Sequence, residues 1–386
     1  MNVKKWIAIG VLLSSTTVLS GCWDHDELPI YAFVQAIALD ISEDNENKLE
    51  LTTQFLKPAP KIGSAGGTGD KAFVNIETEG DTVFEAIRDI TNHLGRKAQW
   101  SHTRMILISE ELAESRHIGE MLEYFYRDHE PRLQINLGIT EGKAKDYLEG
   151  KPFIENTIGQ QLKELGKSAH RYSSKTMEVN LLSLGRQMNS EVQTSKMPYY
   201  KKTKKGDALV SGLATFQKGK MTGKIQPLQT EALLMLLNEY GSGIVEVPCK
   251  SDPGLKEAVE LGTANTDMKT HLGKKGEVSV KVSIKLEGSI GELKCTSIDK
   301  SEKVAKYNRK VEKVVKANVE QTIQQMQEDK VDLLGLGNAI FRKHPKQWMK
   351  MKKDWPETFS KTAFEVDVKM NIVNSGADIG VPFIKK

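Results

Sequence analysis

The stretch from Lys4 to Cys22 decides where everything after it must fold. Two lysines, Lys4 and Lys5, precede an apolar block from Trp6 to Leu13 broken only by Gly10, and a softer Ser-Ser-Thr-Thr-Val-Leu run leads into Ser20, Gly21 and Cys22. A charged start, a short apolar core and small residues at a cut follow the order of a secretory signal. A spanning helix needs about 20 apolar residues, and this segment turns polar well before that. Leu19, Ser20, Gly21 and Cys22 also form the pattern of a bacterial lipobox. In that pattern the cysteine sulfur takes a diacylglycerol, cleavage leaves the cysteine first, and its amine takes a further acyl chain. Residues 1–21 are therefore expected to be a lipoprotein signal peptide, with Cys22 carrying covalent lipid and no other cofactor. Two acyl chains suffice for lasting attachment, at about 0.8 kcal/mol per buried methylene. An ordinary signal with a chance cysteine is the plainer alternative.

Removing 21 residues leaves 365 of 386, enough for two or three domains with cores of their own. The formal charge of +4 falls to +2 when Lys4 and Lys5 leave, which gives no overall nucleic-acid footprint. Only Cys249 and Cys295 remain besides Cys22, too far apart in sequence for a metal knuckle. Two unpaired buried thiols are preferred over a single disulfide between them.

The pattern along the chain reads as strands and helices in series. "YAFVQAIALDIS" (31–42), "KLELTTQFL" (48–56) and "KAFVNIETEG" (71–80) carry the β-branched and aromatic residues of strands, with a Pro- and Gly-rich loop between the last two. "DTVFEAIRDITNHLG" changes period, placing Val83, Phe84, Ile87, Ile90 and Leu94 on one face, with Asp81 as N-cap and Gly95 as stop. A strand at 104–109, a helix from about 110 to 126 and a strand at 133–140 follow. This alternation predicts an α/β domain to about residue 195, with boundaries set at 22–200. A middle domain, 201–270, holds the hairpin "ALVSGLATFQKGKMTGKI" and the helix "TEALLMLLNEYG". A C-terminal α+β domain, 271–386, holds the alternating "EVSVKVSIKLEG", a long helix near 301–330 and the strand "AFEVDVKMNIV". Val304, Tyr307, Val311, Val314, Ile323 and Met326 stripe that helix and are expected to pack on its own sheet.

Catalytic and metal readings find little support. In "DHDE" (24–27) neighbouring residues of an extended chain point to opposite sides, so at most two could reach one ion. His102 is the histidine best placed to be inside, as a neutral core residue. The sequence has no Gly-x-Ser-x-Gly elbow, P-loop or His-Glu-x-x-His, and "GLGNAI" has Ile340 where a dinucleotide fingerprint needs its third glycine. In "FRKHPKQWMKMKKDW" (341–355), Trp348, Met351 and Trp355 share one helical face and Lys346, Lys350 and Lys353 another. A core stripe with a solvated lysine face is preferred over a helix lying on anionic lipid.

Several of these stretches together resemble the Ger(x)C family, the C subunits of spore germinant receptors. The resemblance is carried by "CWDHDEL", "HTRMILISEELA" with "YRDHEPR", "SGLATFQKGKMTG" and "DLLGLGNAIFRKHPKQWMKMKKDW", in order from Cys22 almost to the C-terminus. By position, Cys22 matches the lipidated cysteine, and Trp23, Asp24, Glu27 and Leu28 the mature start. Arg127, Asp128, Glu130 and Arg132 match a central motif, Gly212, Leu213, Ala214 and Phe216 a glycine-led strand, and Asp332, Gly335, Gly337, Pro345 and Trp348 the C-terminal signature. His25 stands where arginine is common, and Pro131 replaces an aliphatic residue. The resemblance implies three domains of mixed β-sheets flanked by helices. It also implies a non-enzymatic lipoprotein on the outer face of the spore inner membrane, working with an A subunit and a permease-like B subunit in germination. The central motif is expected to hold a helix exit by ion pairing or to form a partner surface. The alternatives are a lipoprotein solute-binding receptor of a transporter, which would show two similar lobes, and a hydrolase of spore wall polymer.

Overall fold

In the computed structural model the described residues are 3, 6, 30–57, 71–250, 252, 254–273, 276–374 and 381–382. Cys22, Trp23, Asp24, Glu27, Leu28 and most of the Pro- and Gly-rich loop lie outside them.

β1 (Tyr31–Ile41) is the strand around which the first sheet is built. Its near-continuous apolar run fits burial on both faces, and a bulge between Val34 and Ala36 resets its alternation. Val34, Ile37 and Leu39 then join one core, and Ala36 and Ala38 a second core on the opposite face. β2 (Leu49–Leu56) and β3 (Phe73–Gly80) pair antiparallel on one side of β1. On the other side β5 (Met105–Ser109), β6 (Asn136–Thr140) and β7 (Thr194–Lys202) run parallel to it. β8 (Ala208–Gln217) and β9 (Lys220–Ile225) complete the order β3-β2-β1-β5-β6-β7-β8-β9, with the short β4 (Lys97–Gln99) beside the start of β1. The parallel centre needs crossovers, and these supply the helices. α1 (Val83–Leu94), α2 (Glu110–Ser115), α3 (Ile118–Arg127) and α5 (Leu181–Met188) feed the larger core, whereas α4 (Ile158–Ser173) packs Ile158 and Leu162 into the smaller one.

Local chemistry sets the helix ends. Thr82, rather than Asp81, caps α1 by accepting from the Glu85 N–H at 3.2 Å, and Gly95 ends it in the left-handed region. Phe84 departs from the expected core face: it is 48% exposed and stacks on Tyr124 at 5.6 Å. The helix expected from 110 to 126 is two helices, because His117 leaves the helical path and its Nδ1 accepts from Gly119 N–H at 3.0 Å, capping α3.

The second sheet has the order β10-β11-β12-β13, formed by Gly243–Pro248, Lys256–Leu272, Val278–Glu292 and Ala363–Asn374. The first three are antiparallel, and β13 lies parallel to β12. Along β12, Val278, Val280, Val282, Ile284 and Leu286 are buried while Ser279, Lys281 and Lys285 are not. Such alternation marks a sheet with one packed face. α7 (Ser301–Glu328) covers that face with Tyr307, Val311, Val315, Val319, Ile323 and Met326, as its stripe predicts. α6 (Pro227–Leu237) is apolar nearly all round and is wedged between α7, β8 and β11. The fold is thus mixed α+β, two sheets flanked by helices. Residue 200 falls inside β7, whose partner β8 belongs to the same sheet, and residue 270 falls near the end of β11.

Two expectations are corrected. Cys249 and Cys295 are joined by a disulfide, not free. The turn after β10 and the segment leading to α7 meet because β11 and β12 fold back on each other, which spacing alone does not show. His102 is exposed, not internal: it ends a short 3₁₀ turn whose buried member is Trp100, and its ring edge meets Phe33 at 5.1 Å.

Candidate functional site

The C-terminal signature assembles around Asp332, 2% exposed. Its carboxylate accepts from the N–H of Leu336 at 3.1 Å and Gly337 at 2.9 Å, and from Trp355 Nε1 at 3.1 Å. Burial pushes this carboxyl up, and the backbone donors pull it down. The same donors are the free N–H groups of the first turn of α8 (Leu336–Lys343), so Asp332 acts as that helix's cap. Gly335, at φ 70°, makes the left-handed step that brings the turn back onto Asp332. Gly337 is required by space: a Cβ there would lie 2.4 Å from Val192 Cγ1 and 2.6 Å from the Trp348 ring.

Pro345 opens α9 (Pro345–Met351), and Trp348 is wholly buried between it and the first sheet. Its Nε1 donates to Glu191 Oε2 at 2.8 Å, and Lys352 Nζ meets the same oxygen at 2.8 Å. The Lys352 ammonium, and then the Trp348 indole, hold the Glu191 carboxyl below its ordinary range. Trp348 and Trp355 meet edge to face at 5.3 Å, and Trp355 starts α10 (Trp355–Ser360). Trp348 and Trp355 are buried as a core stripe, and Lys346, Lys350 and Lys353 are exposed. Two further bonds tie the signature to the first sheet: Thr194 Oγ1 donates to Asp332 O at 2.8 Å, and Val192 N–H to Asn338 Oδ1 at 3.2 Å. The signature is therefore the seam between the two sheets. Glu191 and Asn338, its polar partners, were not singled out from sequence, and Glu191 lies 157 residues from Trp348, beyond any local pattern.

The central motif sits elsewhere, at the exit of α3. Arg127 pairs with Glu123 one turn back, and Lys97 approaches Glu130 at 3.9 Å. Asp128 Oδ1 accepts from the Glu130 N–H at 2.8 Å, turning the chain out of the helix. Among the described residues no ion pair links Arg127, Asp128, Glu130 and Arg132 to one another. Arg132 instead lines a basic recess of 220 Å³ with His102, Arg104 and Lys163. Gly212, at φ 88°, donates to Lys175 O at 2.7 Å within β8, while Leu213, Ala214 and Phe216 are buried.

Cys249, Glu257 and Cys295 are the only cluster with metal-ligand spacing among the described residues. The disulfide occupies both thiols, and Glu257 is already bonded to backbone N–H groups. In the seam, Asp332 and Glu191 are held by donors of the same chain and tie elements together. Among the described residues no helix is long and apolar enough to cross a membrane.

Comparison with known proteins fits this architecture. Residues 24–202 match the spore germination protein N-terminal domain, and residues 211–376 match the family described as spore germination B3/GerAC like, C-terminal. Spore germination protein B3 of Bacillus subtilis (strain 168) is 26% identical over 384 residues, covering 97% of this chain and 99% of that protein. Spore germination protein KC of the same organism is 24% identical, covering 95% and 94%. Spore germination protein A3, also from that organism, is 27% identical, covering 95% and 96%. The crystal structure of the GerBC protein shares the fold, with a TM-score of 0.55 and 23% identity over 91% of this chain and all of that one. With two germination domains matched in order and a seam built from the signature residues Asp332, Gly335, Gly337 and Trp348, the chain belongs to the Ger(x)C family of spore germination proteins.

Proposed function

We propose that this protein is the lipid-anchored, non-enzymatic C subunit of a nutrient germinant receptor, acting with membrane-embedded A and B subunits to trigger germination. Its place is the outer face of the spore inner membrane, held there by acyl chains on Cys22. The observation that carries the reading is the match of both germination domains across nearly the whole chain, downstream of Leu19-Ser20-Gly21-Cys22. The buried acids of the seam and of the disulfide region, Asp332 and Glu257, are bound to donors of their own chain and serve to fix loops. A transporter's solute receptor would have two similar lobes about a cleft, whereas the two sheets here differ in strand number and pairing. Affinity purification of the tagged protein from dormant-spore membranes separates the readings. Recovery with A and B receptor subunits is expected, and recovery with a solute transporter, or with no membrane protein at all, overturns the proposal.

A further inference from the structure

Between α6, β10 and the middle of α7 lies a cavity of 660 Å³ with mostly apolar walls, among them Leu228, Met235, Ile244 and Val314. Its size is that of a small-molecule site, within the range of about 300–1,000 Å³. Leu228 and Ile244 remain 52% and 60% exposed, so large apolar side chains stand where the cavity meets solvent. Set in the wall is Glu231, only 5% exposed. Among the described residues its carboxylate has no hydrogen-bond or ion-pair partner. Lys175 lines the same cavity and forms no ion pair with it. Burial pushes the Glu231 carboxyl up to about 7, with Lys175 pulling it down.

Every other buried acid described above is bound to its own chain, so an acid left open in an apolar wall is the exception. An unpaired carboxylate there disfavours the folded state. A glutamine or leucine would fill the position without that cost. We propose that the cavity binds a small organic monocation, a primary ammonium with an apolar body, its head on Glu231 and its body against Met235 and Val314. An anion would bring a second negative charge to Glu231. A diamine would set its second charge against Lys175. A neutral alcohol offers no charge to an ionised acid. The other polar groups lining the site are Asn318 on α7 and the Glu246–Lys256 ion pair on β10 and β11, and Tyr240, after α6, lies near enough to Glu231 to feel its charge. That pair is satisfied within itself and leaves Glu231 as the open acid. The inference stands apart from the receptor-subunit reading, since it concerns a ligand this subunit holds by itself.

Calorimetric titration of the detergent-solubilised full chain with hexylamine, hexanol and hexanoate tests it. Saturable binding of hexylamine at pH 8 is expected, with hexanol and hexanoate weaker by about tenfold or more. Because the ammonium selects the ionised acid, its apparent affinity should be about tenfold weaker at pH 6 than at pH 8. Glu231→Gln should remove both the preference for amine and the pH dependence. Val314→Phe fills the cavity without touching the acid, and should abolish binding while the circular-dichroism melt stays cooperative. Absent hexylamine binding, equal binding of hexanol, unchanged binding by Glu231→Gln, or unchanged binding by a folded Val314→Phe would each overturn the proposal.

Discussion

Glu257, wholly buried at the start of β11, accepts from the N–H groups of Lys294, Cys295 and Thr296 at 3.1, 2.9 and 2.7 Å and from the Thr296 hydroxyl at 2.8 Å. Asp332 is held in the same manner by two backbone N–H groups and an indole. Donors of this kind offset part of the cost of burying a carboxylate. Glu231 has no such donors, and its carboxyl moves from an ordinary 4.5 to about 7. The sign of the resulting pH dependence follows. The folded state binds the proton more tightly than the unfolded chain, so the contribution to stability is fully present below pH 4.5 and is lost as pH rises through 7. The loss is roughly 3 kcal/mol, at 1.36 kcal/mol for each tenfold change in proton affinity. Glu231→Gln has no proton to lose. Its melting temperature should therefore change little with pH between 5 and 8, and should exceed that of the wild type at pH 8 but not at pH 4.5. Parallel melts at the two pH values check this, and equal pH profiles for the two proteins would show that the acid is solvated after all.

At the level of elements, legibility followed the clarity of the period. β12 alternates through Val278, Val280, Val282, Ile284 and Leu286, and α7 repeats its apolar face from Tyr307 to Met326, so both could be placed from sequence. β11 could not. Its burial is confined largely to the first residues, and Gly262, Thr263, Asn265 and Thr266 interrupt any apolar run in a strand that is solvated along most of its length. β7 was hidden by Pro198, a residue that ordinarily argues against a paired strand and that sits here beside a bulge. The disulfide was illegible for a different reason: it depends on β10, β11 and β12 being neighbours, and only β12 of these was visible. It closes a loop of 46 residues, for which chain entropy predicts a stabilisation of about 4 kcal/mol. Cys249 is buried and Cys295 is not, so a reductant can reach the bond from one side. Cys249→Ser with Cys295→Ser should lower the urea midpoint of the protein. Hydrogen exchange should quicken first in the 249–255 turn and the 293–299 segment, while the Glu257 bonds keep part of the latter protected. An unchanged midpoint under oxidising conditions would mean that this bond does not form in the native protein.

Over the whole molecule, the two sheets are fastened among the described residues by α6 between them, by the end of α4 against the start of β10, and by the Asp332–Trp348 seam against residues 191–196. The rest of the molecule can therefore be carried as a unit by whatever holds its N-terminal end. β1 begins at Tyr31, nine residues after Cys22. A chain of that length reaches at most about 30 Å, so acyl chains on Cys22 would keep the start of β1 that close to the bilayer. Confinement of this kind raises the effective concentration of the domain toward membrane-embedded partners by orders of magnitude without adding any contact. Cys22→Ala should then abolish lipidation and processing at this position while leaving the melt of the domain unchanged, because no described core residue is altered. In spores, membrane retention of the subunit should fall and the response to the receptor's nutrient should slow. Labelling with a palmitate analogue, followed by mass measurement of the mature N-terminus, decides the chemistry directly. An unmodified Cys22 in protein extracted from membranes would mean that some other feature holds the molecule there.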